Sequence, residues 1–410
     1  MSKAVMQETE QKAHLQNTVK EALFALLRYE TCGAEIPQGV QESFQKEEIL
    51  KALYETSNAH DLAHLIADAL LKQKWVARES NAGKAFAKQL QTAVFRYEQI
   101  RYELESVCTV LDDFKIPHMP LKGSVLRALY PQPWMRTSCD IDMYVQESEL
   151  ERATNALVEK LDYRVEKKTT HDMDMYAPSG VHLELHYDLI EDSVYPKFKK
   201  PLSQIWSKAV PVKDGSYTYK MADEDFYFYH VAHTAKHLRN GGCGVRSFID
   251  LWYLEKSLPY DKEKLERLLT ESGLTKFAQA ARKLALVWFD GEEHDAVSSE
   301  MEAFVLKGGI YGAFENTLAV QVSKGRFSYF LSRVFPPYYK LKEQYPGLKK
   351  RPFLYPVYIV RRWFNLLFVR GRAKNSVKEF NLAMKKAKEN RSTQLLKDLG
   401  LLDTDLKNKK

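Results

Sequence analysis

The chain has 410 residues, with 61 Lys and Arg against 54 Asp and Glu, a net charge of +7, and a hydrophobic fraction of 45%. That apolar content excludes a disordered or fibrous chain, and the length exceeds the roughly 250 to 300 residues at which one core stops growing, so two or three domains are expected. The mild basic excess favours polyanionic partners without choosing among nucleotide phosphates, RNA and acidic proteins.

The first residues, MSKAVMQETEQK, lack the apolar core of a secretory signal, and no apolar run reaches the roughly 18 residues of a membrane span, so a cytoplasmic protein is expected. From Val19 to about Lys74, apolar residues recur at three and four, as in Ala22, Leu23, Leu26 and Leu27 and then Leu62, Leu65, Ile66 and Leu70, which predicts amphipathic helices separated around Gly33, Pro37 and Gly39. A longer stripe, Phe86, Leu90, Val94, Tyr97, Ile100, Leu104, Val107 and Leu111, predicts one long helix delivering the chain into a first strand.

The period then changes from about 3.6 to 2. IPHMPL, CDIDMYV, YRVEKKT and VHLELHY read as strands, with helices over SVLRALY and from Ser148 to Leu161 between them. Pro178, Ser179 and Gly180 carry turn chemistry between DMDMYA and VHLELHY, which predicts an antiparallel hairpin and therefore a mixed sheet. Helical spacing returns after Ala222, through FYFYHVAHTAKHL, FIDLWYLEKSL and Leu265 to Phe289, and persists into the C-terminal third. The fold class expected is α+β, a small mixed sheet flanked by helical N-terminal and C-terminal regions, divided at 1–84, 85–215 and 216–410.

In a strand, residues two apart share a face, so Asp140 and Asp142 project together while Ile141, Met143 and Val145 enter the core. The same alternation in VHLELHY puts Glu184 on one face with His182 and His186. Three converging carboxylates repel one another unless a divalent cation neutralises them, and hard oxygen ligands suit magnesium. In a two-metal arrangement such ions activate an attacking oxygen and stabilise a leaving pyrophosphate. Upstream, Gly123 and Ser124 follow the strand-like MPLK and open a helix, a position suited to phosphate oxygens, and Lys122 and Arg136 offer positive charge to a triphosphate. Asp-x-Asp and Gly-Ser are each common; their ordered combination with a later apolar-Glu-apolar strand is far more specific.

Other features have plainer readings beside the functional one. His60 and His64 stand four apart on a helix, but HDLAH lacks the Glu of HExxH, so polar packing is favoured over zinc. His230, His233 and His237 share one helix, with Arg246 and Asp250 in the next element; they either line the cleft and contact base, ribose or acceptor, or form an interhelical hydrogen-bond network. His186 is a candidate base for an acceptor hydroxyl, as are Glu184 and Asp142. The stretch KKRPFLYPVYIVRRWFNLLFVRGRAK interleaves basic and aromatic residues, as RNA-binding faces and membrane-surface helices do and as packing helices with basic rims also do. Cys32, Cys108, Cys139 and Cys243 have no zinc-ligand spacing and are expected to be free, buried thiols.

PLKGSVLRALYPQPWMRTSCDIDMYV followed by HLELHYDL resembles the uncharacterised nucleotidyltransferase family of the DNA polymerase β-like superfamily, most strongly over Ile116 to Leu189. The family pattern of Gly-Ser, Asp-x-Asp and a lone later acid matches Gly123 and Ser124, Asp140 and Asp142, and Glu184. The resemblance implies two divalent cations and transfer of a nucleoside monophosphate from a nucleoside triphosphate such as ATP; it leaves the acceptor open among a hydroxylated small molecule, a protein and RNA. SNAHDLAHLIADAL, HTAKHLRNGGCGVRSFIDLWYL and, more faintly, FPPYYKLKEQYP and YPVYIVRRW extend the likeness along the chain. Two departures are a longer segment between Ser124 and Asp140 and the histidines flanking Glu184. The alternative from another class is a non-catalytic nucleotide-binding or RNA-binding protein that retains the fold.

Overall fold

A computed structural model of the chain describes residues 3–189, 196–309, 331, 334–336, 341, 345, 348, 351–368 and 392–402. Four helices open it: α1 (Lys3–Cys32), α2 (Gln38–Ser43), α3 (Glu47–Ala59) and α4 (Ala63–Lys72). The break after α1 falls at Gly33, whose φ of +68° lies where a side chain would be strained, and Pro37 caps α2; Gly39, expected in the same break, instead lies inside α2. The long stripe forms α5 (Asn81–Asp113), started by the Ser80 hydroxyl, which accepts the Gly83 N–H at 3.0 Å.

The central region alternates β1 (His118–Pro120), α6 (Gly123–Leu126), β2 (Asp140–Val145), α7 (Leu150–Leu161), β3 (Arg164–Lys168), β4 (Asp172–Tyr176) and β5 (His182–His186). SVLRALY is not one helix, because α6 is only four residues long and tightens into a 3-10 turn at Arg127–Leu129. Tyr130 precedes Pro131 and is extended, as the steric bulk of the following ring demands.

The five strands form a mixed sheet in the order β1-β2-β5-β4-β3, in which only β2 and β5 run parallel. The α+β architecture expected from the change of period is therefore the one observed. Its register sorts the side chains. Ile141, Met143, Val145, Leu183, Leu185 and Met175 join Ile100, Val107 and Leu111 of α5 and Leu150, Ala153, Ala156 and Leu157 of α7 in one buried apolar cluster. With residues two apart sharing a face, the other side of the sheet carries Asp140, Asp142, His182, Glu184, His186, Asp172 and Asp174. The outer strand β3, fully exposed, is charged at Arg164, Glu166, Lys167 and Lys168 and bulged between Val165 and Lys167, features that discourage pairing with another chain.

Beyond the sheet lie α8 (Pro196–Ser203), α9 (Ile205–Lys208), a small hairpin of β6 (Val210–Pro211) and β7 (Tyr219–Lys220), then α10 (Asp223–Arg239), α11 (Arg246–Ser257), α12 (Lys262–Ser272), α13 (Thr275–Phe289) and α14 (Ala296–Gly308). The pattern from Leu265 to Phe289 divides into α12 and α13 at Gly273, which takes the left-handed conformation that ends a helix. Further helices cover Tyr355–Phe368 and Ser392–Asp398. Residues 310–330 and 369–391, and most of FPPYYKLKEQYP, lie outside the described residues, so the helical spacing expected there is not observed in either sense.

The chain forms two compact units, Met1–Ala235 with Gly244–Glu302, and Lys236–Cys243 with Ala303–Lys410. The carboxylate-bearing sheet belongs to the first. All four cysteines are free, but only Cys243 is buried; Cys32 and Cys139 are exposed, against the expectation of buried thiols. Among the described residues no helix is long and apolar enough to cross a membrane.

Candidate active site

Asp142 and Glu184 are register partners on the parallel strands β2 and β5, and Asp140 is opposite His182 one pleat earlier. Ligand-type atoms of Asp142, Glu184 and His186 lie within 4.8 Å of one another, as do those of Asp140, His182 and Glu184, so Glu184 belongs to both groups. The structure thus brings the three expected acids onto one patch.

Lys122 reaches the patch from the turn before α6. Its backbone is at φ +44°, a conformation that costs a side-chain-bearing residue energy, and its Nζ lies 2.5 Å from Asp142 Oδ1. The same oxygen is 2.8 Å from His186 Nε2, which is also 3.3 Å from Glu184 Oε2. Burial pushes the Asp142 carboxyl up, but Lys122 and His186 outweigh it and hold it well below the usual range. For Asp140 the balance is reversed: burial and the neighbouring Asp142 and Glu184 charges outweigh Lys122 and His182 and raise it above the ordinary carboxyl value. Burial lowers the His186 imidazole, and its hydrogen bonds to Asp142 and Glu184 reverse that, leaving it raised.

The Gly-Ser turn is braced to β2. Arg127 Nε donates to the Gly123 carbonyl at 2.7 Å and its Nη2 to Ser138 Oγ at 2.9 Å, while Ser138 Oγ donates to the Asp140 carbonyl at 3.1 Å. A Cβ on Gly123 would meet Ser138 Cβ at 3.2 Å, a tighter contact than side chains ordinarily make, which favours glycine at this close approach. The Ser124 N–H already donates to the Leu121 carbonyl at 3.0 Å, so α6 has less to offer a phosphate through its amides than a longer helix would. What remains is the Ser124 hydroxyl, whose oxygen is buried and has no hydrogen-bond partner.

Arg136, expected beside a triphosphate, is engaged elsewhere: its Nε donates to Asp250 Oδ1 at 2.7 Å and its Nη1 to the Thr137 carbonyl at 2.6 Å. Tyr130 OH donates to the same Asp250 oxygen at 2.7 Å. Arg246 Nη1 donates to Asp61 Oδ2 at 2.7 Å and to the Thr137 carbonyl at 3.1 Å, and His64 Nε2 is 2.9 Å from the Met135 carbonyl. The segment feeding β2 is thus clamped from both sides by Asp61 and His64 and by Arg246 and Asp250. Arg246 and Asp250 hold loop residues, and between the two helices His230 Nε2 lies 2.9 Å from the Ser247 carbonyl. The flanking sequences that resemble the family meet at this clamp.

Of the remaining histidines, His182 Nε2 lies 3.3 Å from Asp174 Oδ1 without hydrogen-bond alignment, and its ring stacks on Tyr176 at 4.7 Å. His233 sits beside the Tyr229 ring, at 6.0 Å between centroids. His237 is exposed and belongs to the second compact unit. His60 and His64 enter no group of three metal-ligand side chains among the described residues.

Sequence reasoning missed Tyr229, Asp172 and Asp174. Tyr229 is fully buried on α10, and burial, with Asp142 and Glu184 nearby and only Lys122 opposing, raises its phenol. Asp174 is the register partner of Glu184 on β4. A signal was present: HDMDMY repeats the alternation of CDIDMY. The basic C-terminal stretch is only partly described; within the helix Tyr355–Phe368, Ile359 is buried while Val357, Val360 and Phe364 are exposed, and residues 349, 350 and 369–374 lie outside the described residues.

The sequence profile of a family described as uncharacterised nucleotidyltransferase matches residues 46–290. The match takes in α4 and α11 as well as the sheet, and so covers the clamp and the carboxylates together. No curated protein matches the chain.

Proposed function

The chain belongs to this uncharacterised nucleotidyltransferase family, and from that premise we propose that it moves a nucleoside monophosphate from a nucleoside triphosphate to an acceptor in a magnesium-dependent reaction, with residues 85–215 as the catalytic domain. The observation that carries the reading is the sharing of Glu184 between two ligand groups, one with Asp140 and one with Asp142. The carboxylates of the two groups, each with a histidine beside them, are the hard oxygen donors that would hold divalent cations. The donor set fits them: the Asp140 carboxyl is raised by burial and by its two acidic neighbours, a repulsion that bound cations relieve. The buried, unpartnered Ser124 hydroxyl fits a phosphate oxygen in the same way.

Asp140, Asp142 and Glu184 would hold the ions. When bound, these supply positive charge to the triphosphate and lower the pKa of an acceptor hydroxyl. Ser124 donates to a phosphate oxygen beside Gly123, and Lys122 turns its ammonium from Asp142 to the incoming phosphates. The acceptor oxygen attacks the α-phosphorus, and the bond to the pyrophosphate oxygen breaks in line with it. Lys122 engages Asp142, and His186 lies nearer Asp142 (2.8 Å) than Glu184 (3.3 Å), whereas the Glu184 side chain is 24% exposed, so Glu184 receives the hydroxyl proton. His182, His186 and His233 are the candidates for acceptor contacts, with Tyr229 beside His233.

The test is incubation with labelled nucleoside triphosphates, magnesium and cell extract, comparing the natural chain with Asp140→Ala/Asp142→Ala. Label moving to a small molecule, a protein or RNA only with the natural chain supports the reading and identifies the acceptor. Equal transfer by the double variant overturns it.

A further inference from the structure

We propose that His171, Asp172 and His186 form a second metal site, adjoining the carboxylate patch through His186 and selective for a borderline divalent ion of the zinc class. Their ligand-type atoms lie within 4.8 Å of one another. Asp172 opens β4 directly opposite His186 on β5, and the Tyr187 and Asp188 N–H groups both donate to the His171 carbonyl, at 2.9 and 3.1 Å, which pins the turn before β4 against the end of β5.

The donor atoms are sorted in advance. Thr169 Oγ1 donates to Asp172 Oδ1 and lies 3.2 Å from His171 Nδ1, so the other edge of each side chain faces inward. Asp172 Oδ2 is 3.0 Å from His171 Nε2 and 4.0 Å from His186 Nδ1. Ligands on one tetrahedral zinc stand about 3.4 Å apart, given metal–ligand distances near 2.1 Å, so the observed spacings bracket what is required. His186 is 5% exposed, and its Nδ1 is buried with no hydrogen-bond partner while pointing at this cluster. A buried imidazole nitrogen left without a partner calls for an explanation, and a metal ion supplies it.

Chemistry separates this site from the neighbouring one. Two imidazole nitrogens and one carboxylate oxygen suit zinc, cobalt or nickel and do not suit magnesium. An ion on Nδ1 fixes the tautomer in which Nε2 carries the proton, and that nitrogen is already 2.8 Å from Asp142 Oδ1. A metal-bound histidine donating its other N–H to a carboxylate is how such ligands are oriented. Control of Asp142 from this site rests on the catalytic reading above; metal binding itself does not.

The full chain, stripped with chelator, is titrated with Co2+ in excess Mg2+, and binding is read from visible d–d absorption. One Co2+ per chain is expected, with affinity reduced at least ~10-fold by His171→Ala and by Asp172→Asn and unchanged by Asp140→Asn. The metal-free thermal melt of each variant establishes folding, and the Zn2+-induced shift in Tm gives a second reading that should shrink in both. Absent Co2+ binding, or binding untouched by the two turn variants, overturns the site. Loss of binding in Asp140→Asn also overturns it, by assigning the ion to the carboxylate patch. Co2+ binding without nucleotidyl transfer would instead strike only the catalytic reading.

Discussion

Asp142 and Glu184 face each other across two parallel strands, and His186 Nε2 touches both carboxylates, at 2.8 and 3.3 Å. Asp140, which shares their patch, is pulled down by Lys122 and His182 less than burial and two like charges push it up, so its raised carboxyl is a destabilising charge at neutral pH. Asp140→Asn should therefore raise the melting temperature in chelator. It should also remove the further rise that Mg2+ gives the natural chain, and reduce nucleotidyl transfer by at least ~10^3-fold, since metal stabilisation of transition-state charge is worth several kcal/mol. Calorimetric melts with and without Mg2+, beside a transfer assay, decide this. A lower melting temperature for the variant in chelator would show that Asp140 is not under repulsion.

Lys122 and Asp142 form a buried ion pair on this face, with side chains 21% and 7% exposed. Removing one partner of a buried pair leaves an uncompensated charge, which costs about 3–5 kcal/mol. Lys122→Met should lose stability of that order in urea titration without metal. Saturating Mg2+ should restore much of it, because the cation replaces the missing ammonium beside Asp142. A variant equally unstable in both conditions would separate Lys122 from the metal site.

Legibility varied with the range of the interaction. Alternation in CDIDMYV and VHLELHY is a local property, and it sufficed to sort Ile141, Met143, Leu183 and Leu185 into the core and the acids to the other face. Arg136 reads locally as a phosphate ligand, yet it is engaged by Asp250, 114 residues later, a pairing that no local period encodes. Tyr229 sits in FYFYH, where every residue is buried, so nothing in the pattern separates a tyrosine facing the carboxylates from one facing the core. Hydrophobic spacing in SVLRALY suits one helix, and Pro131 excludes only Tyr130 from it, so nothing local marks the tightening at Arg127.

Leu183 and Glu184 are neighbours with opposite roles, and substitution should separate them. Leu183 is fully buried in the cluster beneath the sheet, so Leu183→Ala should cost about 2–5 kcal/mol of unfolding free energy through lost burial and a residual cavity. Glu184→Gln keeps the volume on the polar face and should leave the urea midpoint nearly unchanged while transfer is lost. The outcome that would refute this division is a large stability loss from the glutamine variant with activity retained.

The clamp on the segment before β2 makes stability depend on pH in two stages. Burial holds His230 and His64 below their ordinary 6.5, against the opposing pull of Asp250 on one and Asp61 on the other, so both stay neutral in the fold and charge in the unfolded chain. The unfolded state then binds more protons, and stability falls as pH drops below 6.5 toward the folded values. Asp250 governs the second stage. Burial raises its carboxyl, but Arg136, His230 and the hydrogen bonds from Arg136 and Tyr130 bring it below the usual 3.8. A depressed carboxyl gives stability that is complete above its unfolded pKa and is lost as pH falls through the folded one. Asp250→Asn should therefore be destabilised by about 3–5 kcal/mol at neutral pH, with Arg136 left buried and unneutralised. It should also show a flatter loss than the natural chain below pH ~4, where its missing carboxylate no longer titrates. Urea midpoints measured between neutral and acid pH test both stages: parallel curves for the two proteins in acid would mean that Asp250 does not carry the second.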